Sequence, residues 1–283
     1  MVITQVRAGE SETYKNSGYF IRNTPGLKSL TFNNRSDTFS LVDDTQVNNI
    51  FGGPYPDEQT PKTLQLHTLS MIVVNFGIQP ILLLDHVDPF KLNNLVLRNC
   101  LHTRLLLIDF ATSFSQAASL TQLGITTQYD DAPSKETIRG VEALVSSFSG
   151  LRRIWHDVGM DRMVNIACVT HHGSTLRQLG LASTRDLEDA PIHISTNDLK
   201  AILTSAPHLK GLAINLCPID LGLVRNLGSD YTLQKPAGGF RVPGELESML
   251  NALADYHTLR SLRVLSLPQI DFRESSNLSL IHI

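Results

Sequence analysis

The stretch Ala201-Ile-Leu-Thr-Ser-Ala-Pro-His-Leu209-Lys-Gly-Leu212-Ala-Ile214-Asn-Leu-Cys217 decides the fold. Leu209, Leu212, Ile214 and Cys217 follow the pattern L-x-x-L-x-L-x-x-C, and just upstream stand Leu199, Ile202 and Leu203. Apolar residues three and four apart make a helix stripe, whereas alternating ones suit a half-buried strand. Helix, short turn and strand therefore follow one another in one compact unit. Such a unit has a single apolar face and cannot bury it alone.

The pattern recurs along most of the chain. Its apolar triplets are Leu27, Leu30, Phe32; Leu66, Leu69, Met71; Leu92, Leu95, Leu97; Leu120, Leu123, Ile125; Leu151, Ile154, His156; Leu176, Leu179, Leu181; Leu209, Leu212, Ile214; and Leu259, Leu262, Val264. Their leading positions are 39, 26, 28, 31, 25, 33 and 50 residues apart. The middle intervals lie near the period of about 20–29 residues of leucine-rich repeats, and the outer ones carry insertions. Two further positions keep register. Cys100 holds the place after Leu97 that Cys217 holds after Ile214, where the repeat wants Asn or Cys to satisfy backbone groups in the turn. Val141, Leu144 and Val145, then Leu199, Ile202 and Leu203, then Met249, Ala252 and Leu253 all stand at one fixed distance before a leading leucine. Ser195 or Asn197, and Ser134 ahead of Glu136, are candidate N-caps.

The expected fold is thus α/β: irregular repeats of helix plus parallel strand, stacked as a leucine-rich-repeat solenoid, or horseshoe, with the strands lining the concave face. Strands at Leu92–Leu97, Leu120–Ile125, Leu151–His156, Leu176–Leu181 and Leu209–Ile214 should lie adjacent in that order. Residues 1–63 make an irregular N-terminal part with one degenerate repeat, and residues 64–283 make the solenoid, with a loop insertion near 220–244. Residues 1–25, 33–61, 126–132 and 220–243 belong to no repeat. Cys100 and Cys217 are expected buried, reduced and structural.

Composition narrows the function classes. The chain has 283 residues, 42% hydrophobic, enough for a sizeable core. Its 24 Lys and Arg against 27 Asp and Glu give a net charge of -3 and a pI near 6.4. No long basic run is present, so nucleic acid is not an expected partner. The most apolar stretch, 71–87, is broken by Asn75, Gly77, Gln79, Pro80, Asp85 and His86, which argues against a membrane span. Residues 1–10 lack the apolar centre of a secretory leader, and three cysteines form no disulfide framework. The expected location is intracellular, cytoplasmic or nuclear, and the sequons at Asn34 and Asn277 are then chance.

The form L-x-x-L-x-L-x-x-C, preceded by a helix ending as Ala201 to Leu209 does, resembles the leucine-rich repeats of F-box proteins, and the irregular spacing is similar to that of their relatives in filamentous fungi. His172-Gly-Ser-Thr-Leu-Arg-Gln-Leu-Gly-Leu181 carries the same likeness, which covers roughly residues 64–267. The resemblance implies that the repeats capture a protein for a cullin-type ubiquitin ligase. The Leu-Pro-x-Glu-like element and three apolar helices of an F-box are not seen at the amino terminus, and the apolar end Leu278-Ser-Leu-Ile-His-Ile283 suggests a partial product. A stand-alone structural or signalling scaffold is the alternative, and an α/β enzyme, whose spacing would also be irregular, is the third class.

No Walker loop, dinucleotide fingerprint, nucleophile elbow or C-x-x-C pair appears, so no cofactor and no catalysis are expected. His171-His172 lacks an acidic partner at ligand spacing and is taken as structural, not metal-binding. The residue after the leading leucine is basic at Lys28, Arg152, Arg177, Lys210 and Arg260. A cation after a helix C-terminus stabilises the helix dipole by about 0.3–1 kcal/mol, which explains the row; an acidic partner is the other explanation. Trp155, the single tryptophan, lies between Ile154 and His156, so strand alternation turns it away from the core. A one-residue slip would instead bury Trp155 and expose His156. The candidate protein-binding set is Arg153 and Trp155, with Gln122 and Gln178 on the neighbouring strands and Arg263 beyond them. Gly124 and Gly180 are expected to leave room around the ring.

Overall fold

The computed structural model describes residues 3–7, 21, 24, 26–33, 63–74, 76, 83–114, 119–127, 133–158, 163–182, 193–216 and 244–264. Among the described residues nine strands form a single open parallel sheet: β1 (Ile3–Arg7), β2 (Ser29–Asn33), β3 (Thr68–Ile72), β4 (Asn94–Arg98), β5 (Gln122–Thr127), β6 (Arg153–Val158), β7 (Gln178–Ala182), β8 (Gly211–Ile214) and β9 (Ser261–Val264). Their order in the sheet is their order in the chain. The five central strands lie as expected, and the reversal of strand order that marks a doubly wound sheet does not occur among them. Helices separate many of the strands: α1 (Leu83–His86), α2 (Thr103–Phe114), α3 (Pro133–Ser147), α4 (Ile166–Thr170), α5 (Thr196–Ser205) and α6 (Gly244–Ala254).

The sheet register matches the sequence pattern residue for residue. Leu30, Leu69, Leu95, Leu123, Ile154, Leu179, Leu212 and Leu262 stand side by side across eight strands, and so do Phe32, Met71, Leu97, Ile125, His156, Leu181, Ile214 and Val264. From β2 to β8 these residues are buried in one core with the helix stripe. At β9 the core thins, leaving Val264 exposed. Helices α2 to α6 pack each on the next, and Gly140 lets α3 approach closely: a β-carbon there would lie 3.1 Å from Arg104 Cα.

Two backbone devices repeat from unit to unit. The carbonyl after each leading leucine accepts two N–H groups from the next unit, as Arg152 O does from Arg177 N (2.8 Å) and Gln178 N (3.1 Å), and as Lys210 O does from Arg260 N and Ser261 N. A hydroxyl just before a leading leucine donates to the leading leucine's carbonyl in the previous unit: Ser119 to Leu92 (3.0 Å), Thr175 to Leu151 (2.8 Å) and Thr258 to Leu209 (3.2 Å). Both satisfy buried main-chain groups that the short strands leave over.

Helix α5 starts at the expected cap. The Ser195 hydroxyl accepts from Asp198 N at 3.1 Å and sits 2.7 Å from its carboxylate. Helix α3 begins before Ser134, at Pro133, so that serine lies inside the first turn and not ahead of it. The structure corrects the reading of residues 1–25: β1 pairs in parallel with β2, placing Thr4 and Val6 at core register. A strand with one threonine and one valine at those positions has too little apolar alternation to stand out. Residues 126 and 127, assigned to no repeat, end β5. Cys217 and the insertion near 220–244, apart from Gly244, lie outside the described residues.

Cys100 is buried after β4, where its thiol donates to Met71 O (3.4 Å), and burial pushes its pKa up to about 12. A protonated, enclosed thiol reacts slowly. Mass-spectrometric mapping after brief alkylation of the native protein at pH 8 should find half-buried Cys168 modified well ahead of Cys100. Equal labelling of the two would contradict the structural role.

Candidate functional site

Strand alternation puts every second residue of the sheet on the face opposite the core. The five candidate residues come together there. Gln122 on β5, Arg153 and Trp155 on β6, Gln178 on β7 and Arg263 on β9 all line one groove of about 530 Å³. Trp155 is 37% exposed and its neighbour His156 is 3% exposed. The slipped register is therefore not adopted.

The floor of the groove is made by residues with little or no side chain. Gly180, Gly211 and Ala213 stand beside Trp155 on the next two strands. The indole lies flat against Gly180, where a β-carbon would collide with ring atoms Cε3, Cζ3 and Cδ2. This corrects one expectation: Gly180 is the ring's seat and not free space for a partner. Gly124 on the other side of the ring is open apart from Val96, whose methyls come no closer than 3.7 Å to a β-carbon built there. Replacing Gly180 by Ala should push the indole off its seat. The expected result is a changed Trp155 emission spectrum with unfolding free energy altered by less than about 1 kcal/mol, because the displaced group is a surface side chain. An unchanged spectrum would disprove the seating.

The structure adds two residues to the site. Lys210 and Arg260 line the groove along with Arg153 and Arg263. Both belong to the basic row that a helix dipole could explain. That explanation fails on position: Lys210 follows a helix ending at Ser205, and Arg260 follows one ending at Ala254. The dipole acts only within the last turn. Their signal in the sequence is the shared offset that stacks Arg152, Arg177, Lys210 and Arg260 on four successive strand entries.

Two buried histidines serve the frame beneath the site. His172 accepts from Leu151 N through Nδ1 (3.3 Å), and its Nε2 donates to Val145 O (2.9 Å), fixing the neutral tautomer. Burial lowers its pKa to about 4. His156, in a column of aliphatic residues, is also lowered to about 4 by burial, against the attraction of Glu142. Its Nε2 has no hydrogen-bond partner among the described residues. Among the described residues no group of three His, Cys, Asp or Glu side chains is placed to hold a metal ion, and no helix is long and apolar enough to cross a membrane. No protein-family model matches the chain, and no curated protein matches it either.

Proposed function

We propose that the chain is a leucine-rich-repeat solenoid acting as a noncatalytic protein-recognition scaffold, with the groove around Trp155 as its binding surface. The observation that carries this reading is the exposed indole: it is the largest side chain of the groove, it is held in place by a neighbouring glycine, and the core does not use it. An aromatic ring beside guanidinium groups over a small-residue floor has the chemistry of an interface hot spot. The sequential parallel sheet supports the reading too, since a stack of units presents an extended face and lacks the switch-point crevice in which doubly wound enzymes bind their ligands.

Truncating Trp155 to Ala is expected to cost about 2 kcal/mol or more of partner affinity while leaving stability within about 1 kcal/mol. The partner can be trapped with a photo-crosslinking amino acid at Ser261, on the face, and at Lys200, exposed on helix α5, as the control. Crosslinks from the face that vanish on Trp155 truncation support the reading, whereas equal yields from both positions would overturn it. A link to a ubiquitin ligase rests on the resemblance to F-box repeats. Its own test is co-purification of a cullin adaptor with the full-length gene product; failure would leave a stand-alone scaffold.

A further inference from the structure

We propose that the groove takes an extended acidic peptide segment of the partner, one apolar side chain of which lies against Trp155 while its carboxylates meet Arg153, Lys210, Arg260 and Arg263. The inference rests on the scaffold reading above and specifies the partner's chemistry. Those four cations line the groove, and among the described residues no carboxylate does. All four are exposed, and none of them takes part in the ion pairs formed by Arg104, Arg139 and His193. A second, smaller cavity of about 230 Å³ adjoins Lys210 and Arg260 and adds Arg177, with no acidic residue among its described lining residues. In a chain of net charge -3, four cations lining one groove, with Asp157 the nearest carboxylate along β6 on that face, set up a positive potential that an anionic partner would relieve.

The geometry favours a peptide over other anions. The cations spread over β6 to β9, three strand steps or roughly 14 Å, which about four residues of extended chain would span. Gly211 and Ala213, beside the seated indole, admit a backbone close to the sheet, and the indole offers one apolar contact. Single-stranded nucleic acid is the competing anion, but its grooves stack successive bases on several aromatic side chains. Trp155 is the one Trp, Tyr or Phe among the described lining residues.

Trp155, being the single tryptophan, reports directly on the groove. Its emission would be followed while the full chain is titrated with the blocked peptide Glu-Asp-Phe-Glu-Asp, with the amide isostere Gln-Asn-Phe-Gln-Asn, and with oligothymidylate. The expected result is a saturable change with the acidic peptide. It should be at least tenfold tighter than with the isostere, weaken as salt rises, and weaken at least tenfold in the Arg153→Gln, Arg263→Gln double variant, while Arg263→Lys keeps most of the affinity. Thermal unfolding of each variant confirms that the fold persists. Equal affinity for the isostere would overturn the acidic assignment and leave the groove as a recognition surface. Tighter binding of oligothymidylate would overturn it in favour of nucleic acid. No response to any peptide, with crosslinks still forming at Ser261, would sink the inference alone; no response and no crosslinks would sink the scaffold reading with it.

Discussion

Lowering the pH from 7 towards 4 is expected to remove about 6 kcal/mol of folding free energy through two side chains. His156 and His172 are both buried, and burial holds each pKa near 4 in place of the ordinary 6.5. Below pH 6.5 the unfolded chain takes up protons at these positions and the folded one does not. Stability is therefore fully present above about pH 6.5, falls on acidification, and levels only near pH 4, where the folded histidines protonate as well. A shift from 6.5 to about 4 at 1.36 kcal/mol per unit gives about 3 kcal/mol for each ring. Losses of this size consume much of the roughly 5–15 kcal/mol that holds a typical domain folded. Denaturant midpoints measured at pH 7, 6, 5 and 4.5 test it, and a midpoint constant over that range would refute it. The variant His156→Leu separates the contributions. Leucine suits a column already filled by Ile125 and Leu181, and it removes a ring nitrogen that has no partner among the described residues. It should raise stability at pH 7 by about 1–2 kcal/mol and halve the acid slope.

His172→Ala should cost about 3–5 kcal/mol at neutral pH. The ring joins the carbonyl of Val145, at the end of α3, to the N–H of Leu151 at the strand entry. Truncation would leave both main-chain groups dry and unpaired, at about 1–3 kcal/mol each, and open a cavity as well. That cavity would end a run of rings, Phe110 on Phe114, Phe114 on Phe148 and Phe148 on His172, with centroids 5.4–5.6 Å apart. Exposed His171 is the control, and its truncation should be nearly neutral. Chemical denaturation of the pair decides the matter: a loss below about 1 kcal/mol for His172→Ala would show that the ring is not a bridge.

The strand register was legible because burial on one face imposes a strict two-residue period, and the leading leucine fixes where each strand starts. The face position of Arg153, Trp155, Gln122, Gln178 and Arg263 followed from that period alone. Other features left weaker traces. Helix α2 leaves a weaker trace because Ser113 occupies a position that α3 and α5 fill with Leu144 and Ile202, although Leu106, Leu107, Phe110, Ala111 and Phe114 bury a full stripe. The hydroxyls of Ser119, Thr175 and Thr258 sit one residue before a leading leucine, yet three polar residues at one offset have meaning only once the neighbouring carbonyl is placed. Membership of Lys210 and Arg260 in the groove depends on how strand entries stack in space. No periodicity along the chain encodes that. The repeat pattern aligns His156 with the core column, and only its environment shows that it stays neutral there.

The spacing of the leading leucines varies from 25 to 50 residues while the strands stay aligned without a slip. Extra length must therefore be absorbed between one strand's end and the next leading leucine. Chain length and face geometry are then separately heritable: an insertion or deletion in a connecting segment can be fixed without moving Arg153 relative to Arg263, whereas a single residue gained inside a strand would swap that strand's face and core residues beyond the insertion.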